Sequence, residues 1–505
     1  MYQHYTMNQT CLPIEIDCLL PDNHIVYQID EMVEAIPEEN IRLFEPEDGR
    51  PAYHPRLLLK VILYAYTEKV YSGRDIQTMM QVNLAMHWLS ANQDISYRTI
   101  NRFRSSKACA FFLEDLFVRF TVKLKMEKLI KLDHLFIDGT KIEADANKYS
   151  FVWKKSIDRY EKKLHEKALS YYQEEIKPEI QRQLEFDEAD DLAEDLREVS
   201  LLLQEEITQL DQAIDEAPVK GPDERKQKRR RFKKYYRKLT TDFIPRKEKY
   251  THYQKTFDGR NSFSRTDTDA TFMRMKDDHM RNGQLKAGYN LQIGTENQYT
   301  LAYDLFPNPT DTLTLIPFIE QLHHQPKAIV ADAGYGSEEN LTYLNHLGLE
   351  HYIKYNTFER EQKKAYKLSP KNRSNWVFDS EADTITLPDN TCYFFDRDTR
   401  RKTKSGYEQH VSIYRPKDPD TAPQKAIYYN HYYEQLKETA REKLLADEGK
   451  AIYAQRKVDV ESVFGQVKAN LGFARCHLRG KEKVKTDIGL VLMANNLRKY
   501  TKQRA

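Results

Sequence analysis

The stretch His134-Leu-Phe-Ile-Asp138-Gly-Thr140 decides how this chain folds. It is a short apolar run that ends in Asp-Gly. Far downstream, Lys327-Ala-Ile-Val-Ala-Asp332-Ala-Gly334-Tyr-Gly336 repeats the design. An apolar run of that length, closed by a glycine turn, predicts a strand buried on both faces. Acidic side chains just past the carboxyl ends of such strands lie where open α/β sheets keep their active sites. An Asp-Gly turn is also ordinary turn chemistry, so either aspartate alone is compatible with a purely structural role.

A third carboxylate tips the balance. Tyr453-Ala-Gln-Arg456-Lys-Val-Asp-Val-Glu461-Ser-Val-Phe464-Gly-Gln-Val-Lys468 contains no proline, and Gly472 follows where a helix can stop. The stretch therefore predicts a helix. On a 3.6-residue period Lys457, Glu461, Phe464 and Lys468 share a face. By itself that pattern also suits a solvated helix face. Two strands ending in aspartate plus a helix carrying Glu461 make a stronger pattern than any one of them. Three converging carboxylates repel one another unless cations neutralise them, and Mg²⁺ takes oxygen ligands while leaving positions open for phosphate.

These pieces resemble the DDE transposases of bacterial insertion sequences. The resemblance is carried by Asp138-Gly-Thr140-Lys-Ile-Glu-Ala-Asp-Ala-Asn147-Lys148, Gly288-Tyr-Asn290-Leu-Gln292, Asp332-Ala-Gly334-Tyr335 and the Arg456–Lys468 stretch. Gly472-Phe473-Ala-Arg475-Cys-His-Leu-Arg479-Gly480 and Ala494-Asn-Asn-Leu497 complete it. It implies an RNase H-like mixed sheet with flanking helices, in which Asp138, Asp332 and Glu461 hold two Mg²⁺ (or Mn²⁺) ions. It also implies Lys468 and Arg456 beside the scissile phosphate, water attack that frees a 3′-OH, and attack of that 3′-OH on a target phosphate. In a related branch the arginine stands one residue closer to the glutamate, where this chain has Lys457. Relatives carry clustered cysteines in the later part of the chain; here only Cys392 stands there, and no structural zinc is expected.

Composition sets outer limits. The chain has 505 residues, with 79 Lys plus Arg against 77 Asp plus Glu and a net charge of +2. Any DNA contact must therefore come from local patches. Five scattered cysteines without a CxxC suit a reducing compartment. No apolar run reaches the length of a membrane span, and Met1-Tyr-Gln-His has no signal-peptide character, so the expectation is a cytoplasmic protein, nucleoid-associated if the resemblance holds. No Walker loop, GxGxxG turn or Ser/His/Asp set competes.

In chain order, residues 1–115 read as a helical, helix-turn-helix-like DNA-binding domain. Its basic element is Ser96-Tyr-Arg98-Thr-Ile-Asn-Arg102-Phe-Arg104, with Arg98, Arg102 and Arg104 as DNA contacts; a plain bundle with a solvated arginine face is the alternative. Residues 116–155 begin the core. Residues 156–258 form a charged, coiled-coil-like insertion in which Leu192, Leu196, Val199, Leu203, Leu210 and Ile214 make an apolar stripe. The following basic run, with Lys228, Arg229, Arg230, Arg231, Lys233 and Lys234, either pairs with the acidic helix in a hairpin or grips phosphates. Residues 259–356 resume the core, with a hairpin joined by Thr-Glu-Asn-Gln and with Asp311 as a helix cap. Residues 357–427 are a β-rich insertion, and 428–505 are helices bearing Glu461. Lys457, Arg475 and Arg479 complete the DNA-contact candidates. The expected partners are double-stranded DNA (terminal inverted repeats and target) and a second copy of the chain on paired ends. A nuclease or resolvase that cuts without joining, or a catalytically silent DNA-binding protein, is the alternative.

Overall fold

Apolar β-branched runs that cannot be solvated on either side form the middle of a sheet. β1 (His134–Glu143) and β4 (Ala328–Ala331) are such runs, and they pair in parallel. β5 (Glu350–Ile353) pairs in parallel with β4. On the other side, β2 (Leu285–Glu296) runs antiparallel to β1, and β3 (Tyr299–Phe306) antiparallel to β2. The order is therefore β3-β2-β1-β4-β5, with the short strand Thr271–Arg274 also bordering β2. This is an RNase H-like mixed sheet. The β2–β3 turn is two residues long, and both Asn297 and Gln298 have positive φ (49° and 58°), which suits a type I′ hairpin. The structure, a computed structural model, describes residues 20–45, 51–180, 192–275, 284–417 and 424–504.

Residues Met1–Asp145 and Met273–Ala505 cluster as one compact unit. One core of this unit joins Leu135, Ile137, Ile329 and Ala331 of the sheet to Leu315, Phe318, Leu341 and Leu344 of helices. The N-terminal helices belong to the same unit and not to a body that ends near residue 115. The reason is visible in α1 (Pro55–Thr67), whose residues are buried nearly all round. A helix without a polar face must be enclosed, and α1 packs along α4 (Lys481–Arg504), the helix that also crosses β3. The β-rich insertion is a five-stranded antiparallel sheet in sequence order, from Val377–Asp379 to Ile427–Tyr429, around Ile385, Tyr393, Tyr414 and Ile427. It is tied to the core by Glu338, a buried carboxylate that accepts from Gln409 Nε2 (2.6 Å) and Asn430 Nδ2 (2.7 Å).

Residues Ala146–Phe272 form the second compact unit. It is wider than the expected 156–258 because a two-stranded ribbon, Phe151–Trp153 with Ser262–Ser264, closes its base. The helices Leu192–Glu216 and Glu224–Lys238 make a hairpin. Leu196, Val199 and Leu203 of the apolar stripe pack against Phe232 and Tyr235 of the basic helix. The aromatics interleaved with the basic run therefore face a protein core.

Candidate catalytic site

The register of the two central parallel strands builds the site. Ile137 pairs with Ala331, so Asp138 and Asp332 stand on neighbouring strands. Asp332 follows the end of β4, whereas β1 does not end at Asp138 as expected but runs on to Glu143, paired with β2. Asp138 is 6% exposed, and its Oδ1 accepts from the Gly139 amide at 2.8 Å. Asp332 caps the 3₁₀ turn Ala333–Tyr335 by accepting from the Gly334 amide at 2.8 Å. Both glycines leave room for close approach: a side chain at Gly139 would run into Gln292 Nε2, and one at Gly334 would meet Asp332 Oδ1 at 2.9 Å.

A further acid, Asp311, stands with them. Expected as a helix cap, it is the first residue of the 3₁₀ turn Asp311–Leu313, which Thr310 precedes. Its Oδ1 instead accepts from Asn290 Nδ2 (2.7 Å) and Gln292 Nε2 (2.9 Å) on β2. A side chain at Gly139 would meet that same oxygen at 2.6 Å, and one at Gly334 would meet Asp311 Oδ2 at 3.6 Å. Tyr335, fully buried, donates to Gln292 Oε1 beneath this cluster. Burial, and then Asp311, Asp138 and Asp332 in turn, push the Tyr335 hydroxyl pKa well up. All three carboxylates thus act on one phenol.

The Glu461 segment approaches from the other side, and not as a uniform α-helix. α3 (Asp447–Arg456) continues as a π turn over Lys457–Glu461, a short α segment to Gly465 and a second π turn over Gln466–Asn470. A π turn takes up one extra residue. It therefore shifts which side chains share a face relative to a regular α-helix. The first π turn packs on β1 and β2. Two contacts clamp it. Arg456 Nη1 donates to Asp138 Oδ2 at 3.1 Å, and Asp459, 1% exposed, accepts from the Gln298 amide at 2.9 Å. Burial raises the Asp459 carboxyl pKa.

The structure therefore joins Asp138, Asp332 and Arg456. Glu461 is exposed, one π turn beyond Arg456, and makes no hydrogen bond or ion pair among the described residues. Lys468 lies half-buried on the second π turn. Among the described residues no three acidic, His or Cys side chains are grouped as a ready metal cage. The donors present are nevertheless all carboxylate oxygens, and Asp138 already holds a cationic group. That chemistry suits a hard cation such as Mg²⁺ or Mn²⁺.

Residues 260–497 match the family model described as "Transposase DDE domain", and residues 14–106 match that of a "Transposase domain (DUF772)". The chain belongs to the DDE transposases. Asp332 and Glu461 fall inside the first match, whereas Asp138 precedes it. No curated protein matches the chain. No helix among the described residues is long and apolar enough to cross a membrane.

The basic candidates of this transposase divide sharply. Arg98 and Arg102 are exposed on α2 (Tyr97–Arg104), whose Ser96 cap accepts from the Thr99 amide. Arg104 is not a surface residue. It is 4% exposed, donates to Tyr66 Oη (2.9 Å) and the Tyr71 carbonyl (2.6 Å), and faces Asp487 of α4. Its charge anchors α2 to the core and is withdrawn from DNA. Ile100, Phe103 and Arg104 stand at i, i+3 and i+4, and that spacing carries the signal of a shared buried face. In the basic run, Arg229 and Lys233 pair with Asp211 (2.6 and 3.4 Å), Lys228 with Glu206 (3.9 Å) and Arg231 with Glu179 (3.0 Å). Arg230 and Lys234 are exposed without an ion pair among the described residues. Lys457 is exposed, while Arg475 and Arg479, half exposed, both reach Asp145 (3.3 and 2.9 Å).

Proposed function

We propose that this transposase cuts DNA at the ends of its element and joins the freed 3′ ends to a target. The observation that carries this reading is the Ile137–Ala331 pairing, which sets Asp138 of β1 beside Asp332 at the end of β4. Asp138, Asp332 and Glu461 would hold two divalent ions, Glu461 being carried there by the segment whose Arg456 contacts Asp138. Bound Mg²⁺ or Mn²⁺ would supply the positive charge that eases deprotonation of the attacking hydroxyl and stabilises the leaving oxygen. Asp311 acts one step back, keeping the Asn290 and Gln292 amides turned toward the floor of the site. Arg456 and Lys468 offer positive charge to the scissile strand. No protein nucleophile is needed, because both steps are in-line phosphoryl transfers. Exposed Arg98 and Arg102 read or hold the element ends, and two copies assemble on paired ends. The setting for this chemistry is the cytoplasm, on nucleoid DNA.

The test uses duplexes carrying the DNA that flanks the gene. With Mg²⁺ the full chain nicks the element boundary and joins it to a plasmid, whereas Asp332→Asn binds the duplex but yields neither product. Nicking without joining would leave a nuclease. Equal products from Asp332→Asn would remove the aspartates from the chemistry.

A further inference from the structure

A polar hollow of about 870 Å³ lies where α1 and α4 end and the second π turn begins, and none of the roles above uses it. Four cations line it, Lys69, Arg498, Lys499 and Lys502, against one carboxylate, Glu68. Two of the cations are built into the wall. Arg498 donates to the Thr67 carbonyl at 3.0 Å, covering the negative end of α1. Lys499 donates to the Asn297 carbonyl and lies over the Tyr299 ring. Lys69 and Lys502 are exposed and make no ion pair among the described residues.

The second observation is Asn495. It lines the hollow and is 4% exposed, yet its Nδ2 donor has no acceptor among the described residues. A buried amide donor without an acceptor is unfavourable and calls for an oxygen. Phosphate oxygens only accept, and they carry the charge that the lysines oppose. Gln466 and Asn470 of the second π turn complete the rim.

We propose that this hollow holds a stretch of DNA sugar-phosphate backbone. The proposal rests on the reading that the chain handles DNA. Amide and ammonium donors grip phosphate without reading bases, so the contact fixes position and not sequence. The experiment measures binding of a flanking-DNA duplex against NaCl concentration for the unaltered chain and for Lys69→Glu/Lys502→Glu, with melting curves as the folding control. In parallel, the unaltered chain is acetylated with and without duplex. The expected result is at least about a tenfold loss of affinity near 0.1 M salt in the variant, and a log–log salt slope shallower by about one to two. Duplex should also shield Lys69 and Lys502 from acetylation. Equal affinity and slope in both proteins, with both lysines still acetylated, would overturn the hollow as a DNA site while leaving the transposase reading intact. Failure of the unaltered chain to bind any duplex would overturn that reading, and this proposal with it.

Discussion

At the scale of the residue, the decisive contact is Arg456 on Asp138. Both side chains are largely buried, at 14% and 8% exposure, so truncating one partner strands the other. Arg456→Ala should cost about 1–3 kcal/mol, less than a fully enclosed pair because the neighbouring Glu461 is in water. A divalent ion on Asp138 answers the same charge, so Mn²⁺ should recover most of the lost melting temperature in this variant and little in the parent. Melting curves with and without Mn²⁺ check this; an equal Mn²⁺ effect in both proteins would separate Arg456 from the site. Asp138 and Asp332 were legible in the sequence because an apolar run ending in an acid is a local pattern. Asp311 was not: its partners Asn290 and Gln292 lie on another strand, and a hydrogen bond across elements leaves no period in the chain. Arg104 reads as a surface cation by its charge, whereas its spacing from Ile100 and Phe103 marks it as part of the buried face.

Among the elements, β5 carries a pH-dependent strut. His351 is buried, with Nε2 against Asn345 Oδ1 at 3.0 Å, and burial lowers its pKa to about 4. Between pH 6.5 and about 4 the unfolded imidazole takes a proton that the folded one refuses. The stability tied to this group is therefore complete above pH 6.5 and lost as pH falls toward 4, by at most about 3 kcal/mol. His351→Gln should flatten the denaturant midpoint over that window; an unchanged slope would place the acid sensitivity elsewhere. α4 makes a different demand. Gly489 lies against the Tyr303 hydroxyl, and a methyl there would also meet Leu113 Cδ2 at 2.8 Å. Gly489→Ala should destabilise by about 1–3 kcal/mol through overpacking, read as a lower melting temperature. Helices and strands were legible from periodicity, but the two π turns were not. A π turn changes which residues share a face without changing composition, so the expected common face of Lys457, Glu461, Phe464 and Lys468 presumed a regularity that the chain breaks at Lys457–Glu461 and Gln466–Asn470.

For the whole molecule, the sheet order, with Asp138 and Asp332 on paired central strands, could be anticipated from two matching runs and the family resemblance. The enclosure of α1 by α4 could not, since it joins residues at opposite ends of the chain. The charge-paired hairpin was legible as one of two readings, and buried Phe232 and Tyr235 turn the basic run toward its acidic neighbours. The proposed site draws on β1, β4 and the segment after α3. Fe²⁺ in place of Mg²⁺, with ascorbate and peroxide, cuts a polypeptide wherever the ion is held, and the fragments report the ligands without any DNA reaction. The expected result is three sets of cuts, next to Asp138, next to Asp332 and within Lys457–Gly465, all suppressed by excess Mg²⁺ and absent from Asp332→Asn. Cuts beside the two aspartates with none in Lys457–Gly465 would contradict a shared site that includes Glu461.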